Sequence, residues 1–163
     1  MSKTCVLVVC LAAVATMTAG QNTILNKSSQ AAEGTKYWTS DGGKWMEDPA
    51  AHGTSSLLVS GNPAKGGPSI MYVKFVPEAA MGWHWHPGAE TYYGESGRLE
   101  VHILGSTRIL AIGKGTYAMV PANVVHRGTC VSKEPCFFYL NEASSVKNMV
   151  DEHGNSIRMG VTH

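Results

Sequence analysis

From Ser55 to Leu140 the chain never sustains one regular pattern for long: short apolar runs alternate with glycine, proline and asparagine turns. The runs are Ser55–Ser60, Ile70–Val76, Gly82–His86, Glu90–Gly94, Arg98–Leu104, Thr107–Ile112, Tyr117–Val120, Val125–Val131 and Cys136–Leu140. Between them stand Gly61-Asn62-Pro63, Gly66-Gly67-Pro68, Pro87-Gly88, Ser96-Gly97, Gly105-Ser106, Gly113-Lys114-Gly115 and Pro121-Ala122-Asn123. Runs of this length bounded by turn residues form strands, since a helix needs a longer uninterrupted stretch. Nothing before Ser144 carries a 3.6-residue stripe, so the reading is all-β, an antiparallel barrel or jelly roll. Arg98-Leu99-Glu100-Val101-His102-Ile103 alternates polar and apolar at every step, which places Leu99, Val101 and Ile103 inward and His102 on the surface. Residues 141–163 hold too few apolar groups to specify more than a short helix or an extended segment packed on the barrel.

Composition narrows the function classes. Only 15% of the 163 residues are charged, with Lys+Arg 13 against Asp+Glu 12 and no block of one sign. A protein that binds by neutralising phosphates needs a concentrated positive charge, so no nucleic-acid partner is expected. The chain is long enough for one core and too short for two.

The first twenty residues stand apart. Lys3 precedes the apolar run Cys5 to Ala15, and the small or polar residues Thr16 to Gly20 follow. A positive start, a short apolar core and small residues at a cleavage point make a secretory signal peptide, and the run is too short for a membrane anchor. Residues 1–20 are therefore read as a leader, 21–36 as a polar arm and 37–163 as the domain. The expected location is extracellular or periplasmic, with no membrane association after cleavage.

Export changes the cysteine arithmetic. Cys5 and Cys10 leave with the leader, and Cys130 and Cys136 remain in an oxidising compartment. Read as two strands of one hairpin, their flanking runs bring the sulfurs opposite each other, and a disulfide is expected. Two buried free thiols are the alternative. Asn26-Lys27-Ser28 is an N-glycosylation sequon, relevant in a eukaryotic host.

Chemistry concentrates in a few of the seven histidines. His84 and His86, one residue apart, project from the same face of a strand. Glu90 follows after a Pro-Gly turn, and His126 begins another predicted strand. Three imidazoles and one carboxylate suit a divalent transition metal; iron, manganese and nickel are favoured, and zinc and copper also fit these donors.

The spacing carries a family resemblance. Gly82-Trp83-His84-Trp85-His86-Pro87-Gly88-Ala89-Glu90, closed by Gly97, resembles the first cupin motif, and the segment from Gly115 to His126 resembles the second. Gly82 lies nearer the histidines than the family's leading glycine. Asn123 stands where the second motif usually has a turn glycine, and asparagine tolerates positive φ better than other side chains. The segments Gly61–Phe75 and Cys130–Cys136 also resemble small exported single-domain cupins, some of them grouped with the cupin domain of ChrR-type anti-sigma factors. No sigma-binding segment is recognisable here.

The resemblance implies a jelly-roll barrel with a metal held by His84, His86, Glu90 and His126, and a small-molecule substrate or ligand. Two function classes stay open. One is a metal-dependent enzyme, an oxygenase or a metal-assisted lyase or isomerase, with Tyr92 as acid, base or hydrogen-bond donor to a bound oxygen. The other is a non-catalytic protein that binds or stores a metal or small ligand. Tyr117, Met119, Phe138 and Leu140 are candidate pocket linings. Trp83 and Trp85 alternate with the histidines and point away from them, a surface through which a homodimer is expected to form.

Overall fold

The structure, a computed structural model, describes residues 37–157. The leader (1–20), the polar arm (21–36) and the Asn26 sequon lie outside the described residues. Within them the chain forms β1 (Met46–Glu47), β2 (Thr54–Gly61), β3 (Ser69–Phe75), β4 (Ala80–Trp85), β5 (Glu90–Ser96), β6 (Leu99–Ile103), β7 (Ile109–Ile112), β8 (Tyr117–Val120), β9 (His126–Cys130), β10 (Cys136–Glu142) and β11 (Asn148–Met149). Every apolar run expected to be a strand is one, with ends displaced by no more than two residues. The tail is extended: β11 pairs with β4 opposite His84 and Trp85.

Two antiparallel sheets result, ordered β1-β2-β3-β10-β5-β8 and β11-β4-β9-β6-β7. Among the described strands no ladder joins one sheet to the other. The chain is thus a jelly roll of two facing sheets, whose cohesion comes from the core between them rather than from a closed ring of hydrogen bonds. Val73, Phe75 and Phe138 enter that core from one sheet, and Leu99, Val101 and Ile112 from the other. The alternation on β6 puts Leu99 and Val101 inside, with Ile103 half-buried at the strand end.

The disulfide joins Cys130 and Cys136 across a Cα separation of 5.8 Å. Its setting differs from the expected hairpin. β9 pairs with β4 and β6, whereas β10 pairs with β3 and β5, so the bond ties one sheet to the other. The cause is the segment Val131–Pro135: the Val131 N–H bonds to the Arg98 carbonyl, and the chain then crosses to the opposite layer. Proline cannot donate a ladder hydrogen bond, which keeps Pro135 from extending a hairpin.

Two turns carry residues of the motifs. Gly97 has φ 69°, and a Cβ there would meet the Pro135 carbonyl oxygen at 2.6 Å, so the motif's closing glycine is required sterically. Asn123 adopts φ 63°, the left-handed conformation expected of it in the place of a glycine. Its N–H donates to the His86 carbonyl at 2.8 Å, docking the turn before β9 onto the end of β4.

Candidate metal centre

Three strands and the turn after β4 deliver the four side chains. His84 lies near the end of β4 and His86 just beyond it; Glu90 opens β5, and His126 opens β9 directly opposite His84 in the ladder. The first and last come from one sheet and Glu90 from the other, so the group sits between the layers. One ligand atom from each residue lies within 4.8 Å of those of the other three, and all four residues are buried. This is the set expected from the motif spacing, brought together in full.

Hydrogen bonds orient the imidazoles. His84 Nδ1 lies 2.8 Å from the Gly82 carbonyl oxygen and His126 Nδ1 2.9 Å from that of Val124. A carbonyl can only accept, so Nδ1 carries the proton in both rings and Nε2 faces the other side chains of the cluster. Glu90 spans the other two contacts: Oε2 lies 2.6 Å from His126 Nε2, and Oε1 lies 3.1 Å from His86 Nε2.

Charge states follow from burial. Burial and then the neighbouring charge of His126 push His84 down to about 3, against the opposing pull of its bond to Gly82. Burial also lowers His86, with Glu90 opposing it. The Glu90 carboxyl would rise on burial alone, but the hydrogen bond with His126 and the positive charge that His86 and His126 can carry hold it at about 2. Near neutral pH, His84 and His86 are therefore neutral and Glu90 is ionised, the forms that donate electron pairs to a cation.

The residues fit a metal ion on their own geometry. His86 Nε2 is buried and close to Glu90, yet it makes no hydrogen bond there. An unpaired buried nitrogen is costly, and a cation between these groups would satisfy it. A ligand shell with bonds of about 2.1 Å spans about 4.2 Å, so a contraction of a few tenths of an ångström closes this cluster on an ion. Nitrogen and oxygen donors without thiolate match the transition metals named above.

Tyr92, two residues along β5, is fully buried against this group. Its hydroxyl donates to Glu90 Oε2 at 2.9 Å and lies 3.4 Å from His126 Nε2. Burial, followed by the charge of Glu90, raises its pKa well above the usual value, so it stays protonated. Its hydrogen bond orients the carboxylate.

A cavity of about 100 Å³ opens beside the cluster, reached by His84, Glu90 and Tyr92. Phe138 and Leu140 line it as expected, whereas Tyr117 and Met119 lie elsewhere on the surface. Three further polar residues on its wall escaped sequence reasoning. Glu142, buried at the end of β10 and directly opposite Glu90 in the ladder, accepts a hydrogen bond from Ser69 Oγ at 3.1 Å. Burial and the charge of Glu90 raise its pKa. Lys147 and Asp48 pair across 2.6 Å. The partners in each contact lie 73 and 99 residues apart, so no local pattern announces them. Trp83 and Trp85 are half-buried away from the site, and the Arg127 guanidinium lies 4.9 Å from the centroid of the Trp83 ring.

Comparison with known proteins agrees with this architecture. The family described as the cupin domain matches residues 71–140. No curated protein matches the chain. Among solved structures, the polyketide cyclase RemF from Streptomyces resistomycificus is 15% identical, with TM-score 0.60 over 78% of this chain and 88% of that one. An acetylacetone dioxygenase from Acinetobacter johnsonii is 17% identical, with TM-score 0.61 over 76% and 83%. An RmlC-like cupin from Shewanella frigidimarina is 16% identical, with TM-score 0.55 over 69% and 92%. At these identities the likeness is one of fold. With both motifs, the two-sheet jelly roll and the buried three-histidine, one-glutamate cluster in place, the chain carries a cupin domain over residues 71–140.

Proposed function

We propose that this is an exported, metal-dependent enzyme acting on a small organic molecule, as an oxygenase or as a metal-assisted lyase or isomerase. The observation that carries the reading is the cavity. Of the four ligand residues only His84 and Glu90 line it, so the cluster is walled by protein on one side and meets a ligand-sized space on the other. A purely structural ion would be enclosed by its ligands. His84, His86, Glu90 and His126 would hold the ion, which when bound supplies Lewis acidity or, for a redox-active metal, electron transfer.

The chain's own residues supply the rest. Tyr92 holds Glu90 in place through Oε2. Phe75, Phe138 and Leu140 make an apolar wall that excludes bulk water. Glu142 is a buried carboxylate on the same cavity and outside the ligand set, the placement an acid or base needs beside a substrate. It favours an enzyme over a storage protein, which has no use for such a group. The dioxygenase and cyclase that share the fold act on small molecules, as their names state, and are in keeping with this reading.

The test is elemental analysis of protein purified from its native compartment, followed by oxygen-uptake and turnover assays with the metal found. The reading expects one equivalent of a transition metal, and a Glu142→Gln variant that keeps the metal while losing turnover. Full metal with no turnover over a broad panel of small molecules would favour storage instead.

A further inference from the structure

One charged residue on the wall of the cavity says what kind of molecule the site takes, an inference that rests on the metal-centre reading. Lys147 lines the cavity, with its side chain 24% exposed where it pairs with Asp48. Its ammonium has three N–H donors. One goes to Asp48 Oδ2 at 2.6 Å and one points at Met81 Sδ at 3.7 Å, a weak acceptor. Among the described residues no further hydrogen bond takes the third. A partly desolvated cation with a spare donor, on a cavity whose apolar lining includes Met71, Val73, Phe75, Phe138 and Leu140, suits an anionic head on an apolar body.

Size and number of donors narrow the class. A cavity of about 150 Å³ holds benzene, so the present volume of about 100 Å³ holds about four or five non-hydrogen atoms. A phosphate group recruits several donors or a helix terminus, and one lysine offers neither. Asp48 and Glu142 on the same wall oppose a second negative charge. We propose that the site takes a short-chain monocarboxylate, its carboxylate on Lys147 and its other end toward the cluster at His84 and Glu90.

The experiment compares propionate with propionamide, equal in size and differing in charge, by calorimetric titration into the full-length protein with and without metal. Propionate is expected to bind at least tenfold more tightly. Lys147→Met, which keeps the apolar stem, should abolish that preference while leaving propionamide affinity and metal content unchanged. Asp48→Asn frees the ammonium and should strengthen propionate binding about threefold or more, a gain that misfolding cannot imitate. Equal affinity for the two probes, or weaker propionate binding in Asp48→Asn, overturns the proposal. Absence of metal at His84 and its partners overturns the proposed function instead, and the Lys147 comparison in metal-free protein stays readable.

Discussion

Tyr92 donates a hydrogen bond from its hydroxyl to Glu90 Oε2, the same oxygen that faces His126 Nε2. The carboxylate is thereby held from behind while its other oxygen lies by His86. Partners of this kind, one step removed from the ligands, fix ligand orientation, and their loss costs about 10- to 100-fold in metal affinity. Tyr92→Phe is therefore expected to keep one metal site but release the ion to a chelator at 10- to 100-fold lower competitor concentration. Unchanged affinity in a chelator competition contradicts the assignment of Tyr92 as a positioning residue.

The turn at Asn123 links a backbone conformation to the site. With φ 63°, an ordinary side chain costs about 1–2 kcal/mol there, more for a branched one. Asn123→Gly should leave stability within about 0.5 kcal/mol, while Asn123→Val should lose about 2 kcal/mol in urea unfolding. The same valine variant should bind metal more weakly, because the turn docks on the His86 carbonyl.

The disulfide closes a short loop between sheets, and chain-entropy reasoning gives it about 2 kcal/mol. Replacing both Cys130 and Cys136 by alanine should lower unfolding stability by that order and leave metal content at one equivalent. Both cysteines are buried at the far end of β9 from His126.

Acid should destabilise the metal-free protein through His84. Its folded pKa of about 3 lies below the unfolded value near 6.5, so between those limits only the unfolded chain takes up the proton. Stability then falls as pH falls, by up to about 1.4 kcal/mol per unit. Glu90, held at about 2, adds to the loss below its unfolded value of 4.5, while the raised Glu142 acts in the opposite sense. A His84→Gln variant should show a shallower slope of stability against pH between about 6 and 4. Parallel slopes contradict the buried neutral state of this ring.

The parts legible in the sequence are those governed by short-range rules. Turn residues delimit the strands, period-two alternation sorts Leu99 and Val101 inward, and the histidine spacing reflects one strand face. β1 and β11 are not legible in the sequence because Met46-Glu47 and Asn148-Met149 carry no apolar run; pairing with an existing sheet makes them strands. The hairpin expected around the cysteines failed for a related reason. Two apolar runs near in sequence specify strands but not which sheet each joins, and ladder partners 40 or more residues away decide that. Glu142 and Lys147 look like ordinary polar tail residues until the fold brings them to Ser69 and Asp48.

The proposed binding of one transition-metal ion by His84, His86, Glu90 and His126 is open to mass-spectrometric metal analysis of purified protein. One equivalent is expected in the wild type and less than about a tenth of that in the His84→Ala/His126→Ala double variant, with the disulfide intact in both. A full equivalent retained by the double variant would contradict it.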